Sequence, residues 1–199
     1  MAKISQSGSD TKEKLLILAL KYYLKEGAHN TTFQQLANDL GISQAAIYKH
    51  YRSRNELLVA AIKYAADKGR DHLLSTEKEN EQALNRLKNH LNQNLEFCID
   101  EPIYAIAVIT LHYFAACVPE VKKLHEEINE RRINRIETYI AHATHEGKLS
   151  KINVSESAAM IHSLLMGEMI KAYLWPKSEK ILIRQKRLWK TCEKILEIN

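Results

Sequence analysis

Thr32–Leu58 reads TFQQLANDLGISQAAIYKHYRSRNELL, two short amphipathic stretches that meet at Gly41. In the first, Leu36, Ala37 and Leu40 recur at helical spacing. Thr32 followed three residues later by Gln35 has the form of a capping box. Gly41 supplies the left-handed residue that closes this helix, and Ser43 caps the next one from Gln44. The second stretch runs into the basic, aromatic segment YKHYRSR. Ser53 with Glu56 then repeats the capping pattern and opens a further helix towards Leu74. The pattern is helix, tight turn, helix.

Helical signals extend in both directions from this turn. Asp10–Glu26 carries Leu15, Leu18, Ala19 and Tyr22 on one face and stops at Gly27, leaving residues 1–9 as an expected flexible tail. A polar break at Ser75–Glu81 separates the front from helices expected near 82–98, 102–117, 119–146, 154–175 and 178–197. Pro102 and Pro119 stand at helix starts, where a missing N–H costs nothing, while Gly147 and Pro176 suit helix ends. Six Gly and three Pro in 199 residues, with no strand alternation and no repeat, give an all-α chain of about nine helices.

Composition bounds the function. With 45% apolar and 27% charged residues the chain reads as a soluble globular protein. Cys98, Cys117 and Cys192 are odd in number, far apart and without metal-ligand spacing, which predicts reduced thiols, a cytoplasmic setting and no structural metal. His142 and His145 stand three apart on a helix, but no carboxylate or cysteine completes a set nearby, so they are expected at the surface. The N-terminus lacks the apolar core of a secretory signal. Pro102–Pro119 has no Asp, Glu, Lys or Arg, yet its His112, Thr110 and tyrosines suit a buried bundle helix rather than a membrane span. There is no nucleophile elbow, P-loop, dinucleotide fingerprint or zincin motif, so neither an enzyme nor a cofactor is expected.

Charge is unevenly distributed. Residues 1–64 hold nine Lys/Arg against five Asp/Glu, whereas residues 65–199 hold twenty against nineteen. A small module with most of the positive excess suits a polyanion. In a helix-turn-helix the second helix presents its first residues to base edges in the major groove. Gln44 then offers an amide to a base edge, and Ala45 and Ala46 allow close approach and a methyl contact with thymine. Tyr48, Lys49, His50 and Arg54, with Thr32 at its helix start, are positioned for phosphates. Ile47, Leu57 and Leu58 are expected in the core.

Leu15-Leu16, Ala19, Tyr23, Gly27, Thr32, Leu36-Ala37, Gly41-Ile42-Ser43, Ile47-Tyr48, His50-Tyr51 and Ser53-Arg54-x-x-Leu57 fall in the register of the TetR-family N-terminal domain, which the chain resembles over about residues 10–60. The resemblance implies a three-helix DNA-binding head over 10–60. It also implies a larger helical ligand-binding and dimerising body over 61–199, and usually repressor action. It carries over Thr32, Gln44, Tyr48, Lys49, His50 and Arg54 as DNA contacts. Arg54 stands where the family usually has Lys, Tyr23 and Tyr51 stand for Phe, and Ala45-Ala46 replace Gly-Thr. Losing that threonine hydroxyl means base specificity does not transfer from the family.

In the body, helix 102–117 is apolar on every side and is expected to be enclosed. Tyr104, Thr110, His112 and Tyr113 are its polar exceptions and candidate orienting groups of a ligand pocket lined by Phe97, Phe114, Cys117 and Met166; the alternative is a set of satisfied core polar groups. Arg132 sits mid-stripe among Val121, Leu124, Ile128, Ile136, Tyr139 and Ala143. Such a cation needs an anionic ligand, an internal carboxylate such as Glu168, or a path to solvent. Ala159, Ser163 and Gly167 form a ridge of small residues that permits close helix crossing. With Leu188, Cys192 and Ile195 they are the expected homodimer seam, the alternative being intrachain packing.

These readings together predict a dimeric repressor on a pseudopalindromic double-stranded operator, released by an unidentified small, largely apolar effector. The second reading is a DNA-bound adaptor whose body binds a protein partner.

Overall fold

The computed structural model describes residues 3–27, 30–78, 80–150 and 152–198, with the side chains of 3–9 left out of account. Among the described residues there are nine α-helices and no strand. They are α1 Lys3–Glu26, α2 Phe33–Leu40, α3 Gln44–Tyr48, α4 Arg54–Ser75, α5 Ala83–Asp100, α6 Pro102–Ala115, α7 Pro119–His145, α8 Val154–Leu174 and α9 Ile181–Ile195. The expected elements are all present. The largest difference is at the start: α1 begins at Lys3, so most of the expected tail is helical and Asp10 is interior to a helix. There Asp10 accepts an i,i+4 ion pair from Lys14 at 2.7 Å instead of capping. At the other end, α6 stops at Ala115 and α9 starts at Ile181, each inside its expected bounds.

The chain divides into two compact units. One holds Met1–Asp67 with Ile106–His125, the other Lys68–Ala105 with Glu126–Asn199. In the first, Leu16, Ala19, Leu20, Leu36, Ala37, Ile47, Leu57, Leu58 and Ile62 are almost fully buried. Of the inward residues expected of α1 and α2, Leu15, Ala19, Leu36 and Ala37 are buried while Leu18, Tyr22 and Leu40 are half-buried, and α2 packs on both α1 and α3. In the second unit α5 packs on α8 and α9, which also pack on each other. Leu87, Leu91, Leu95, Ile136, Ile140, Ile161, Leu188 and Leu196 form its core. No single helix among the described residues is long and apolar enough to cross a membrane.

Candidate DNA interface and regulatory core

The turn is built by local hydrogen bonds. Thr32 is extended, its Oγ1 accepts the Gln35 N–H at 3.2 Å, and Gln35 Oε1 accepts the Thr32 N–H at 2.8 Å, which completes the capping box. Gly41 adopts φ +64°, a left-handed conformation that a side chain disfavours. Its N–H reaches the Ala37 and Asn38 carbonyls, and the Ile42 N–H reaches Ala37 O at 3.0 Å. The chain is thereby redirected, and Ser43 Oγ accepts the Ala46 N–H at 3.2 Å to start α3. At the head of α4, Ser53 Oγ accepts the Glu56 N–H while the Glu56 carboxylate accepts the Arg52 N–H at 2.7 Å.

Around this turn the expected DNA contacts share one exposed stretch. Thr32, Ala45, Tyr48, Lys49, His50 and Arg54 are exposed, and Gln44 and Ala46 are half-exposed. Ile47, Leu57 and Leu58 are buried beneath them, as the spacing predicts. Two tyrosines brace the pair from α1: Tyr22 donates to Asp39 at 2.7 Å, and Tyr23 donates to the Arg54 carbonyl at 3.4 Å. Tyr51 is 4% exposed, and among the described residues its hydroxyl has no hydrogen-bond partner.

The expected pocket residues are divided between the two units. Phe97, Tyr104, Arg132 and Met166 belong to the second unit. Phe97 stacks on Tyr104 at 5.5 Å between centroids, and Arg132 Nη1 lies 3.8 Å from Met166 Sδ. Thr110, His112, Tyr113, Phe114 and Cys117 belong to the first unit. Thr110 is buried with its hydroxyl donated to Ile106 O, and His112 Nδ1 is 2.7 Å from Val108 O, so both are satisfied by their own helix. Tyr113 is 66% exposed and Cys117 is exposed, so neither lines an interior. An all-round apolar helix gives no directional signal, so the sequence did not say which of its side chains point outward.

Arg132 does not pair with Glu168. Glu168 is taken by Arg187 at 2.8 Å and Lys171 at 3.5 Å. Arg132 is half-buried as a residue, and burial of its guanidinium lowers its pKa to about 10. Cys98 beside it is buried, which pushes its thiol up to about 12 and keeps it neutral.

A polar cluster that no sequence pattern announced lies in the same unit. Glu77 accepts from Arg86 and from Tyr139 (3.0 Å), with Arg135 at 3.7 Å. Burial raises the Glu77 pKa, but these donors outweigh it and hold the carboxyl below its ordinary value. His90, buried beside Tyr139, is pushed down to about 3, chiefly by burial and then by the Arg135 cation. Glu77, Arg86, Asn89, His90 and Tyr139 line a small cleft with Leu73 and Thr76. Glu77 and Tyr139 are too far apart in sequence for any helical periodicity to link them.

On α8 the small ridge faces outward: Ala159, Ser163 and Gly167 are exposed. A Cβ built on Gly167 meets nothing within 4 Å, and Ser163 donates its hydroxyl to Ala159 O, so the ridge is open and weakly polar. Met160, Leu174, Trp175, Leu182 and Ile183 are large apolar side chains at least half exposed on or beside α8 and α9. Leu188 and Cys192, by contrast, are 1% and 0% exposed within the single chain. They are core residues of this unit, and only Ile195 of the expected α9 trio keeps partial exposure. His142 and His145 are exposed, and no group of three or more His, Cys, Asp or Glu among the described residues is gathered to hold a metal.

Residues 15–61 match the family of bacterial regulatory proteins, tetR family. A Bacillus subtilis relative, the uncharacterized HTH-type transcriptional regulator YerO, is 34% identical over 56 residues, 28% of this chain and 19% of that protein. The chain thus spans under a fifth of that relative's length. The nucleoid occlusion factor SlmA of Vibrio cholerae is 28% identical over 138 residues, 69% of this chain and 68% of its own. Among solved structures, a TetR-family transcriptional regulator from a Rhodococcus species superposes with a TM-score of 0.80 at 18% identity, covering 94% of this chain and 99% of that one. The regulator AibR, solved with isovaleryl coenzyme A and operator DNA, superposes with a TM-score of 0.73 at 16% identity, covering 94% and 98%. These structures share the fold of the whole chain, and the matched domain coincides with the capped turn and its exposed basic stretch. Residues 15–61 thus match the helix-turn-helix DNA-binding domain of the tetR family of bacterial regulatory proteins, and the chain as a whole has the fold of solved TetR-family regulators.

Proposed function

We propose that the chain is a cytoplasmic, dimeric transcriptional repressor, released from a pseudopalindromic operator when a small, largely apolar effector enters the body. The observation that carries this reading is the stretch after Gly41. Gln44 to Ala46 stand at the start of a capped helix, and Thr32, Tyr48, Lys49, His50 and Arg54 are exposed around it. The first group reads base edges and the second grips phosphates. The head is residues 10–60, and residues 61–199 form the regulatory and dimerising body.

The dimer forms through α8 and α9. The open ridge Ala159–Ser163–Gly167 lets a second α8 approach closely, and Met160, Leu174 and Leu182 supply exposed apolar area at its margins. Two heads related by a twofold axis read half-sites spaced by helical turns. Effector binding selects a conformation whose head spacing no longer fits adjacent grooves.

A second reading is favoured by the name of one relative. The Vibrio cholerae protein is a nucleoid occlusion factor, which points to a DNA-bound adaptor whose body takes a protein partner. Titrating a labelled operator duplex with the chain, then adding a library of small molecules, separates the two. Release by a member of the library supports the effector reading; an unchanged binding curve throughout favours the adaptor.

A further inference from the structure

The positive charge of the chain has a second pole, far along the sequence from the head. Residues 171–199 hold eight Lys/Arg against three Glu, an excess equal to the +5 of the whole chain. Much of it lies on one face of α9. Arg184, Gln185, Leu188 and Cys192 are buried, whereas Ile183, Lys186, Lys190 and Lys194 are exposed and recur at helical spacing as a single outward stripe. Its lysines stand four residues apart, about 6 Å along the axis. Among the described residues none of the three has a side-chain hydrogen bond or ion pair, nor have the exposed Lys177 and Lys180 in the loop before α9. Arg187, by contrast, is held by Glu168 and Glu179.

One end of the stripe is apolar. Trp175 is 58% exposed and Ile183 50%. The loop that carries Trp175 is fixed in place: Arg184, buried in the first turn of α9, donates to Trp175 O and Ser178 Oγ at 2.8 Å each. A tryptophan left at the surface of a tethered loop, beside a row of unanswered cations, has the composition of a binding surface. A second copy does not suit the stripe, because a twofold contact through it would set lysines against lysines. Nucleic acid would use the lysines but not the apolar end. A bilayer needs an apolar helix face to enter it, and that of α9 is buried in the core of its own unit.

We propose that the outer face of α9, with the loop before it, docks an acidic helical segment of a protein partner. Carboxylates at every fourth residue of that segment match the spacing of Lys186, Lys190 and Lys194, and apolar residues at one end meet Ile183 and Trp175. This rests on the adaptor reading above and supplies the chemistry of its partner.

The test uses the full-length chain without DNA and a labelled, alanine-based peptide of about 16 residues, long enough to hold a helix. It carries Glu at every fourth position and Leu and Phe at one end. Fluorescence anisotropy is expected to show saturable binding that weakens with salt, and roughly tenfold or more weaker binding when the Glu residues are replaced by Lys. Lys186→Glu with Lys190→Glu and Lys194→Glu abolishes the preference for the Glu peptide, and Trp175→Ala weakens binding roughly fivefold. Operator affinity and the sedimentation coefficient stay as in the wild type. Should the triple variant fail to fold, Lys190→Glu alone gives the same comparison in smaller degree. The inference is overturned if the Glu peptide does not bind, if the Lys peptide binds equally, or if the preference survives charge reversal. It is also overturned if the charge reversal dissolves the dimer, or if it acts only on binding to phosphatidylglycerol vesicles or to a non-specific duplex. If no peptide binds and no small molecule releases the operator, the adaptor reading stands and this surface assignment falls. If the peptide binds as expected while a small molecule releases the operator, the surface stands and the effector reading takes the place of the adaptor.

Discussion

The Tyr48 ring packs edge-on against Phe33, with centroids 4.9 Å apart, while Tyr48 remains 53% exposed. One residue at the end of α3 is thus pinned to the first residue of α2 and still keeps a free surface. The ring sets the position, and in the proposed reading the hydroxyl takes a phosphate. Tyr48→Phe keeps the first and removes the second. It is expected to weaken operator binding by about 1 kcal/mol, similarly on specific and non-specific duplexes, with the fold intact. Tyr48→Ala removes both and costs more. Fluorescence anisotropy at fixed salt, with thermal melts as control, checks the pair.

Tyr51 buries a hydroxyl for which the described residues hold no partner. An unsatisfied buried hydroxyl carries its desolvation cost without return, so Tyr51→Phe is expected to stabilise the head by about 1 kcal/mol. Equilibrium urea unfolding reads this directly; a destabilised variant would mean that the hydroxyl has a partner in solution.

His90 makes stability depend on pH. Its folded pKa, about 3, lies below the ordinary value of 6.5, so folding favours the neutral ring. Below pH about 6.5 the unfolded chain takes up this proton and the folded one does not, so stability falls from there towards pH 3. Between pH 7 and pH 5 the loss from this group is about 2 kcal/mol. His90→Gln should flatten the urea midpoint over that range, and an unchanged slope would contradict the assignment.

Gly167 tests the dimer seam. A Cβ built here meets nothing within 4 Å beyond its own turn of helix, so Gly167→Leu is expected to leave the protomer's packing intact and to fill the space where the proposed second helix would cross. Sedimentation velocity should show a dimer weakened by roughly tenfold or more, about 1.4 kcal/mol, at unchanged helicity. An unaltered dimer would move the seam elsewhere.

The parts legible in the sequence are those whose causes are local. Thr32 with Gln35, Gly41, and Ser43 with Ala46 each bond within a few residues, so the turn could be read from spacing alone. The buried stripe of α7, with Val121, Leu124, Ile128, Ile136, Tyr139 and Ala143, was equally plain. What a helical stripe does not reveal is which chain or unit covers it. Leu188 and Cys192 lie on such a stripe and turn out to be core, whereas Ala159, Ser163 and Gly167 face outward. Arg132 was visible as a cation on an apolar face. That Glu168 answers Arg187 instead depended on how α8 and α9 meet, which periodicity does not encode.

The central claim is that the start of α3 reads base edges. It is tested most directly by selecting operator fragments from the source genome and measuring their affinity against scrambled duplexes for the wild type and Gln44→Ala at one salt concentration. The account predicts a pseudopalindromic operator, and a specificity ratio that falls by about 1–3 kcal/mol in Gln44→Ala while non-specific affinity holds. A variant that retains the full sequence preference would contradict it.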